Sequence, residues 1–282
     1  MYRKLRTMRM AIAVTVLAVM TAGLCGAGGW LGALSDRLDA LQIAGAAAGG
    51  ALVWLLFWAI VTLLFGRVYC STVCPAGTCL DIVCRIRARR IKGPLTQFGV
   101  TRGYPNLRLL VLLVYIEAVA LGASAVTNWL DPVADFGRLF SVWGTVSLSG
   151  IAGAMIVLVA GVATAWRDGR LLCNSICPAG AALGGISSVA LMGFDINPDL
   201  CTHCGTCERG CKSRCINSDR CLIDNSRCVA CFDCAASCPN NAIRWTANRH
   251  RLQWPLLMRT GTDTGVKTSD AAQCFDKNSK TQ

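Results

Sequence analysis

The chain has 282 residues, 18 cysteines, 2 histidines and a formal net charge of +12, and 54% of its residues are hydrophobic. Secreted disulfide scaffolds are short and loop-rich, and this chain is neither. With both histidines outside the apolar stretches and no Cys-x-x-Cys-His, a bis-histidine membrane haem and c-type haem attachment are excluded. The basic charge needs no nucleic acid, because membrane topology and anionic lipid headgroups account for it.

Four apolar stretches, near 10–33, 43–66, 107–127 and 146–166, are each long enough to cross a ~30 Å hydrocarbon layer. The first follows a basic patch, Arg3, Lys4, Arg6 and Arg9. Its apolar run is too long for a signal peptide and no small-x-small cleavage site follows, so an uncleaved anchor is expected. Glu117 is the ionisable group deep in a span. It is either a proton acceptor at a quinol site or a carboxylate bonded to a neighbouring helix. The 67–106 connection carries Arg67, Arg85, Arg87, Arg89, Arg90, Lys92 and Arg102 against Asp81, whereas the 34–42 and 128–145 connections are short of basic residues. The positive-inside rule then puts the N-terminus, the 67–106 loop and the C-terminal region on the cytoplasmic side. Trp30, Trp129 and Trp143 mark the outer interface, and Tyr69 and Trp166 the inner one. Gly45-x3-Gly49 permits close helix packing.

A repeat sits at the inner face. Gly66-Arg67-Val68-Tyr69-Cys70-Ser71-Thr72-Val73-Cys74-Pro75-Ala76-Gly77 recurs 103 residues later as Gly169-Arg170-Leu171-Leu172-Cys173-Asn174-Ser175-Ile176-Cys177-Pro178-Ala179-Gly180. Each copy follows a helical hairpin, so the membrane part is a two-helix unit used twice in one orientation. Cys70, Cys74, Cys173 and Cys177 can meet near the repeat axis as a four-thiolate site, which selects iron–sulfur, Cu(I) or zinc. The alternative is four small apolar side chains packed around a structural turn. Cys79 and Cys84 follow the first copy alone. Cys25 is expected to pack within the first helix, and Cys274 to be free in a polar tail.

The strongest signal is Cys201-x2-Cys204-x2-Cys207-x3-Cys211 followed by Cys228-x2-Cys231-x2-Cys234-x3-Cys238-Pro239. This is the ligand run of a two-cluster bacterial ferredoxin, in which the last cysteine of each run serves the other cluster. Cys201, Cys204, Cys207 and Cys238 are therefore assigned to one [4Fe–4S] cluster, and Cys228, Cys231, Cys234 and Cys211 to the second. Two departures stand out. Lys212 replaces the proline expected after Cys211, and Cys215 and Cys221 are additional thiols, Cys215 being the rival to Cys211 as fourth ligand. His203 is expected to be an exposed loop residue. Residues 244–259 mix arginine with tryptophan and leucine and suit docking on the inner membrane surface, and the tail from about 260 has the composition of a disordered segment.

The expected fold class is thus an α-helical membrane protein, four transmembrane helices as two repeated hairpins, with a C-terminal α+β two-cluster ferredoxin-like domain. The expected units are 1–192, 193–248 and 249–282. With its two Cys-x3-Cys-Pro motifs after the second and fourth spans and its eight cluster cysteines, the chain resembles the NapH-like membrane iron–sulfur proteins and the C-terminal half of NosR/NirI-type proteins. The resemblance covers roughly residues 5–245. It implies electron transfer between a quinol pool and partner redox subunits at a bacterial inner membrane, by a subunit rather than a stand-alone enzyme. Quinone is then a further ligand. A second reading of the same features is a maturation or regulatory factor for a respiratory metalloenzyme.

Overall fold

The computed structural model describes residues 1–25, 29–30, 33–34, 37–38, 52–90, 105–123, 127, 136 and 148–247. Gly45, Gly49, Trp129, Trp143, Cys274, the segment from 249 and the tail lie outside them.

Helix α1 runs over Tyr2–Leu24. It starts before the apolar stretch because residues 2–10 include neither glycine nor proline and are rich in Arg, Lys, Leu and Met, all good helix formers. The basic patch is therefore the first part of the helix rather than a flank. Cys25 is the exposed residue just past its end, not a packed one, because the helix stops at Leu24. Helix α2, Leu52–Phe65, stops at Gly66, whose φ of +76° only glycine adopts without strain. Then come the short α3, Tyr69–Thr72, and the longer α4, Pro75–Arg90, which opens on a proline where a missing N–H costs nothing.

The second copy repeats this plan. Helix α5 is Pro105–Ala120 and α6 is Leu148–Asp168, ended by Gly169 at φ +69°. Helix α7 is Leu171–Ser175 and α8 is Pro178–Ser188. Packing follows the duplication. Helix α4 lies against α1 of its own copy and α6 of the other, and α8 lies against α5 of its own copy and α2 of the other. The two units thus interlock by exchange.

Among the described residues, α1 is the one helix long and apolar enough to cross a membrane, and Val53–Phe65 is a shorter apolar helix. Large apolar side chains face outward along four helices, among them Val14, Leu56, Ile60, Leu110, Leu113, Ile156 and Val159. Glu117 is exposed beside Ile116 on α5.

The C-terminal region is duplicated too, with an offset of 27 residues. Strand β1, Met192–Ile196, precedes the first cysteine run, which contains helix α9, Thr206–Arg209, and ends in β2, Ile216–Asn217. Strand β3, Leu222–Ile223, precedes the second run, with α10, Asp233–Ser237, and β4, Ile243–Ala247. Both strand pairs cross between the halves: β1 with β4 from Met192↔Ala247 to Ile196↔Ile243, and β2 with β3 through Ile216↔Ile223. Both ladders are antiparallel. Phe194, Ile196, Ile216, Ile223 and Ile243 form the core between the cysteine runs.

Two carboxylates weld this region to the helices. Asp81 of α4 takes Arg170 Nε at 2.9 Å, Arg9 at 3.3 Å and Lys212 at 3.5 Å. Asp233 of α10 takes Arg6 at 2.7 Å and Lys212 at 2.8 Å. Lys212, which stands where the second run has Pro239, bridges the pair. Tyr2 completes the weld: its hydroxyl accepts from Trp245 N at 3.1 Å, and its ring stacks on Phe232. Trp245 also packs on Phe65, so it covers the helix junction.

Burial opposes charge on Asp81, but Arg170, Lys212 and Arg9 overcome it and hold its carboxyl far below the usual carboxylate range. Its stabilisation is full above the unfolded value near 3.9 and fades as pH falls below about 4 toward the depressed folded value. Asp81→Asn leaves three buried cations short of a partner and should cost about 3–5 kcal/mol. A lowered thermal midpoint in detergent, with the loss much reduced below about pH 4, is the expected result.

Candidate metal centres

The first group of C-terminal cysteines, Cys201, Cys204, Cys207 and Cys238, lines one cavity together with Ile196 and Ile243. The second group, Cys211, Cys228, Cys231 and Cys234, lines another with Phe194, Ile223 and Phe232. Each group draws three sulfurs from one run and one from the other. Cys204 is exposed, so the first cavity reaches solvent, whereas Cys211 and Cys234 are buried. Burial pushes the Cys207 thiol up to about 11, and the Cys234 thiol further.

The loops turn by a repeated device. His203 and Gly205 in the first run, and Ala230 and Phe232 in the second, have φ between +49° and +67°. Arg214 and Asn241, each three residues past the last cysteine of its run, do the same at +52° and +51°. Alternating handedness turns successive N–H groups inward, the concavity that favours anions and iron–sulfur sites. A left-handed phenylalanine is strained. Phe232 is held there by Tyr2, Phe194 and Trp245, whose rings pack on it.

The offset of 27 separates Cys211 from Cys215. Cys211 corresponds to Cys238, and Cys215 to Ala242. Ala242 N donates to Cys238 Sγ at 3.3 Å, and Cys215 N donates to Cys211 in the same way. The Cys215 thiol lies 3.5 Å from Cys211 Sγ. That hydrogen bond, with those from backbone N–H groups, brings the Cys211 thiol down to about 7 against burial. Cys215 is thus placed as a hydrogen-bond partner of Cys211. His203, expected to be exposed, is half-buried with Nδ1 2.9 Å from Ser218 O. The ligating atoms of Cys201, His203 and Cys221 lie within 4.8 Å of one another, but that His203 nitrogen and the first group already engage two of them.

Cys70, Cys74, Cys173 and Cys177 are brought together where the two copies interlock. Burial raises the thiols of Cys74, Cys173 and Cys177, the last to about 12, and the four act on one another. Burial favours the protonated form of Cys74, Cys173 and Cys177, so a metal bound there must displace protons. Gly180 N donates to Cys177 Sγ at 3.3 Å at the start of α8, and Gly77 N bonds Cys74 likewise at the start of α4. Glycine is required at both places: a Cβ at Gly77 would run into the Cys70 carbonyl, and one at Gly180 into the Cys173 carbonyl. The arginine opening each copy crosses to the other. Arg170 donates to Cys70 O at 2.7 Å and Gly77 O at 2.9 Å, and Arg67 reaches Asn174 Oδ1 at 2.7 Å and Cys173 O at 3.5 Å. Both side chains are fully buried.

Soft donors, inward N–H groups and buried guanidinium suit an anionic thiolate centre. A single tetrahedral zinc with Zn–S bonds of 2.3 Å needs sulfurs about 3.8 Å apart. No three of these four are grouped within 4.8 Å among the described residues. This quartet also touches the second C-terminal group: Cys231 packs in the same apolar cluster as Cys70, Cys74, Tyr69 and Val229.

Comparison with known sequences bears on both kinds of site. A family described as a 4Fe-4S binding domain matches residues 47–94 and 150–194, the segments that carry Cys70, Cys74, Cys173 and Cys177. The ferredoxin-type protein NapH of Escherichia coli is 26% identical over 231 residues, 76% of each chain. The putative electron transport protein YccM of the same organism is 28% identical over 200 residues, 67% of this chain and 53% of YccM. The methylamine utilization ferredoxin-type protein MauN of Paracoccus denitrificans is 31% identical over 189 residues, 63% of this chain and 61% of MauN. The chain is a NapH-like, ferredoxin-type iron–sulfur protein. By name NapH and MauN are ferredoxin-type proteins and YccM is a putative electron transport protein. The chain spans little more than half of YccM. No solved structure matches it significantly.

Sequence reasoning gave no role to Arg67 and Arg170, although both open the repeat it identified. It also passed over Arg108, which is buried at the start of α5 and donates to Gly180 O and Ala181 O at 3.1 Å. A charged residue in a basic loop reads as topology, and only the exchange of partners between the copies reveals more.

Cys211→Ser should cost the second C-terminal group its iron, about four atoms per chain. Cys215→Ala should keep that iron and shift the potential of the centre negative, because a hydrogen bond to a ligand sulfur is lost. Iron determination and redox titration on the two variants check the assignment; the opposite pattern would make Cys215 the ligand.

Proposed function

We propose that this chain is a membrane-bound electron-transfer subunit that works between a quinol pool and partner redox proteins, with iron–sulfur centres at three places. Cys201, Cys204, Cys207 and Cys238 would hold one [4Fe–4S] cluster, and Cys228, Cys231, Cys234 and Cys211 a second. Cys70, Cys74, Cys173 and Cys177 would hold a third centre where the helical units interlock. Such centres supply one-electron transfer.

The observation that carries the reading is the order in which the chain packs its thiols. Cys204 is exposed, Cys207 is buried behind it, and Cys231 shares an apolar cluster with Cys70 and Cys74. Water-accessible and helix-embedded cysteines are therefore joined through dry protein. The chain's own contribution is to keep these groups fixed, by the Asp81 and Asp233 networks, and to exclude water around the inner ones.

Membrane attachment is supported by α1 and by the outward apolar side chains of α1, α2, α5 and α6, a larger exposed apolar surface than soluble proteins carry. We place four spans in the inner membrane, with the N-terminus and the C-terminal region cytoplasmic. The contacts of Arg6 with Asp233 and of Arg9 with Asp81 favour a shared side for these two regions. With two histidines and neither in an apolar stretch, electron passage to the far side would use a mobile quinone, a further centre or another subunit.

Anaerobically purified protein should contain about twelve irons per chain and show three reducible centres by EPR. The double variant Cys70→Ser/Cys173→Ser should retain about eight irons and lose quinol-driven reduction of an added acceptor. Full iron with unimpaired electron flow in that variant would remove the third centre from the reading.

A further inference from the structure

The two copies of the membrane-edge repeat differ at one position that matters. Asp81 of the first copy corresponds to Gly184 of the second, 103 residues on. Asp81 neutralises Arg170, the crossing arginine of the second copy, at 2.9 Å. The equivalent space beside Arg67 holds no ion-paired acid among the described residues. It holds another cation, since a Cβ at Gly184 would collide with the Arg108 guanidinium.

Arg67 and Arg108 share one carbonyl oxygen, that of Ser226, at 3.3 and 3.5 Å. Among the described residues, their hydrogen bonds to Asn174, Cys173, Gly180, Ala181 and Ser226 end on uncharged acceptors, and Arg67 also points an NH2 at Cys70 Sγ, 3.8 Å away. Asp224 bears on Arg108 from a distance, with its Oδ1 held by Ser226 N and Oγ. Arg67 is wholly buried and Arg108 nearly so, and the Nε of each is buried without a partner. Two like charges out of water and side by side are unfavourable unless an anion faces them.

We propose that Arg67, backed by Arg108, is the fixed counter-charge of an anionic centre held by Cys70, Cys74, Cys173 and Cys177, and sets its potential. The inference rests on the reading of that quartet as an iron–sulfur site and goes beyond it by assigning a positioning and tuning residue. A four-thiolate iron–sulfur centre is a net anion in each redox state and gains a negative charge on reduction, so nearby positive charge favours the reduced form. Arg170, which is paired with Asp81, also faces Cys173 and Cys70 and adds positive charge to the same centre. The broken symmetry leaves Arg67 as the one of the pair without a carboxylate partner among the described residues.

The test uses full-length protein purified anaerobically in detergent. Redox titration by EPR follows the centre that Cys70→Ser/Cys173→Ser abolishes. With Arg67→Gln, its reduced-to-oxidised ratio at a fixed potential should fall at least tenfold, a shift of about 59 mV for a one-electron couple, while the other two centres titrate as before. Arg67→Lys keeps the charge and should restore most of the shift. An Arg67→Gln protein with unchanged iron and potential overturns the proposal while leaving the quartet reading intact. Wild-type protein with about eight irons overturns both together. Should Arg67→Gln lose the centre outright, recovery of iron and potential in Arg67→Lys supports the counter-charge, and equal loss in Arg67→Lys makes Arg67 a structural brace and overturns it.

Discussion

The membrane-edge architecture depends on two guanidinium groups that cross between the halves. Arg170 ends on the carbonyls of Cys70 and Gly77 in the first copy, and Arg67 ends on Cys173 and Asn174 in the second. A buried guanidinium is costly unless its donors find acceptors, and its planar fork finds several at once. The carbonyls it uses are those of the turn between the two cysteines and the next helix. Fixing them fixes the direction of Cys70 and Cys173, and the glycines at 77 and 180 let the helix start approach closely enough for this to happen. Neither half can form the arrangement alone, so the thiols come together only when both copies are in place.

Duplication acts here at two scales, and function sits where it breaks. The 103-residue offset keeps the cysteines, prolines, glycines and crossing arginines equal, but exchanges Asp81 for Gly184. The 27-residue offset keeps eight cysteines and the left-handed turn residues equal, but exchanges Pro239 for Lys212 and Ala242 for Cys215. In the second case the exchange has a visible purpose. Pro239 is exposed, whereas Lys212 is buried between Asp81 and Asp233. A proline there has no charge to offer either acid, so the half that faces the helices carries the lysine and the half that faces solvent carries the proline. The second cysteine group consequently sits amid Lys212, Arg9 and Arg6, and the first does not.

Much of this was legible in the chain because ligand chemistry limits spacing. Three sulfurs around one corner demand short gaps, and each group of four that the spacing implies lines one cavity, the second together with Cys215. The membrane-edge repeat was visible for a similar reason: identical residues at identical spacing. The arginines were hidden, since the positive-inside pattern already gave every basic residue in the 67–106 loop a sufficient explanation. Hydropathy marked four apolar stretches, yet it could not mark where helices begin. Arg3 to Arg9 read as a flank in the sequence but form the first two turns of α1, where Arg6 and Arg9 bond to Asp233 and Asp81. Spacing alone leaves Cys211 and Cys215 as rivals, and the 27-residue correspondence, in which Cys215 stands for an alanine, favours Cys211.

The same network couples metal loading to assembly. Lys212 immediately follows the ligand Cys211, Asp233 lies between Cys231 and Cys234, and Asp81 lies seven residues beyond Cys74. Three buried ion pairs therefore join backbone segments that also carry sulfurs of two centres. Ligands that are protonated thiols in the empty state must lose protons to bind iron, and each negative charge so created strengthens its attraction to the surrounding Arg and Lys side chains. An excess of buried cations is thus unfavourable before iron arrives and favourable after it. On this argument the helical units and the C-terminal region should be loosely joined in the empty chain and firmly joined in the loaded one, with iron acting as the last piece of the interface rather than a passenger in a finished fold.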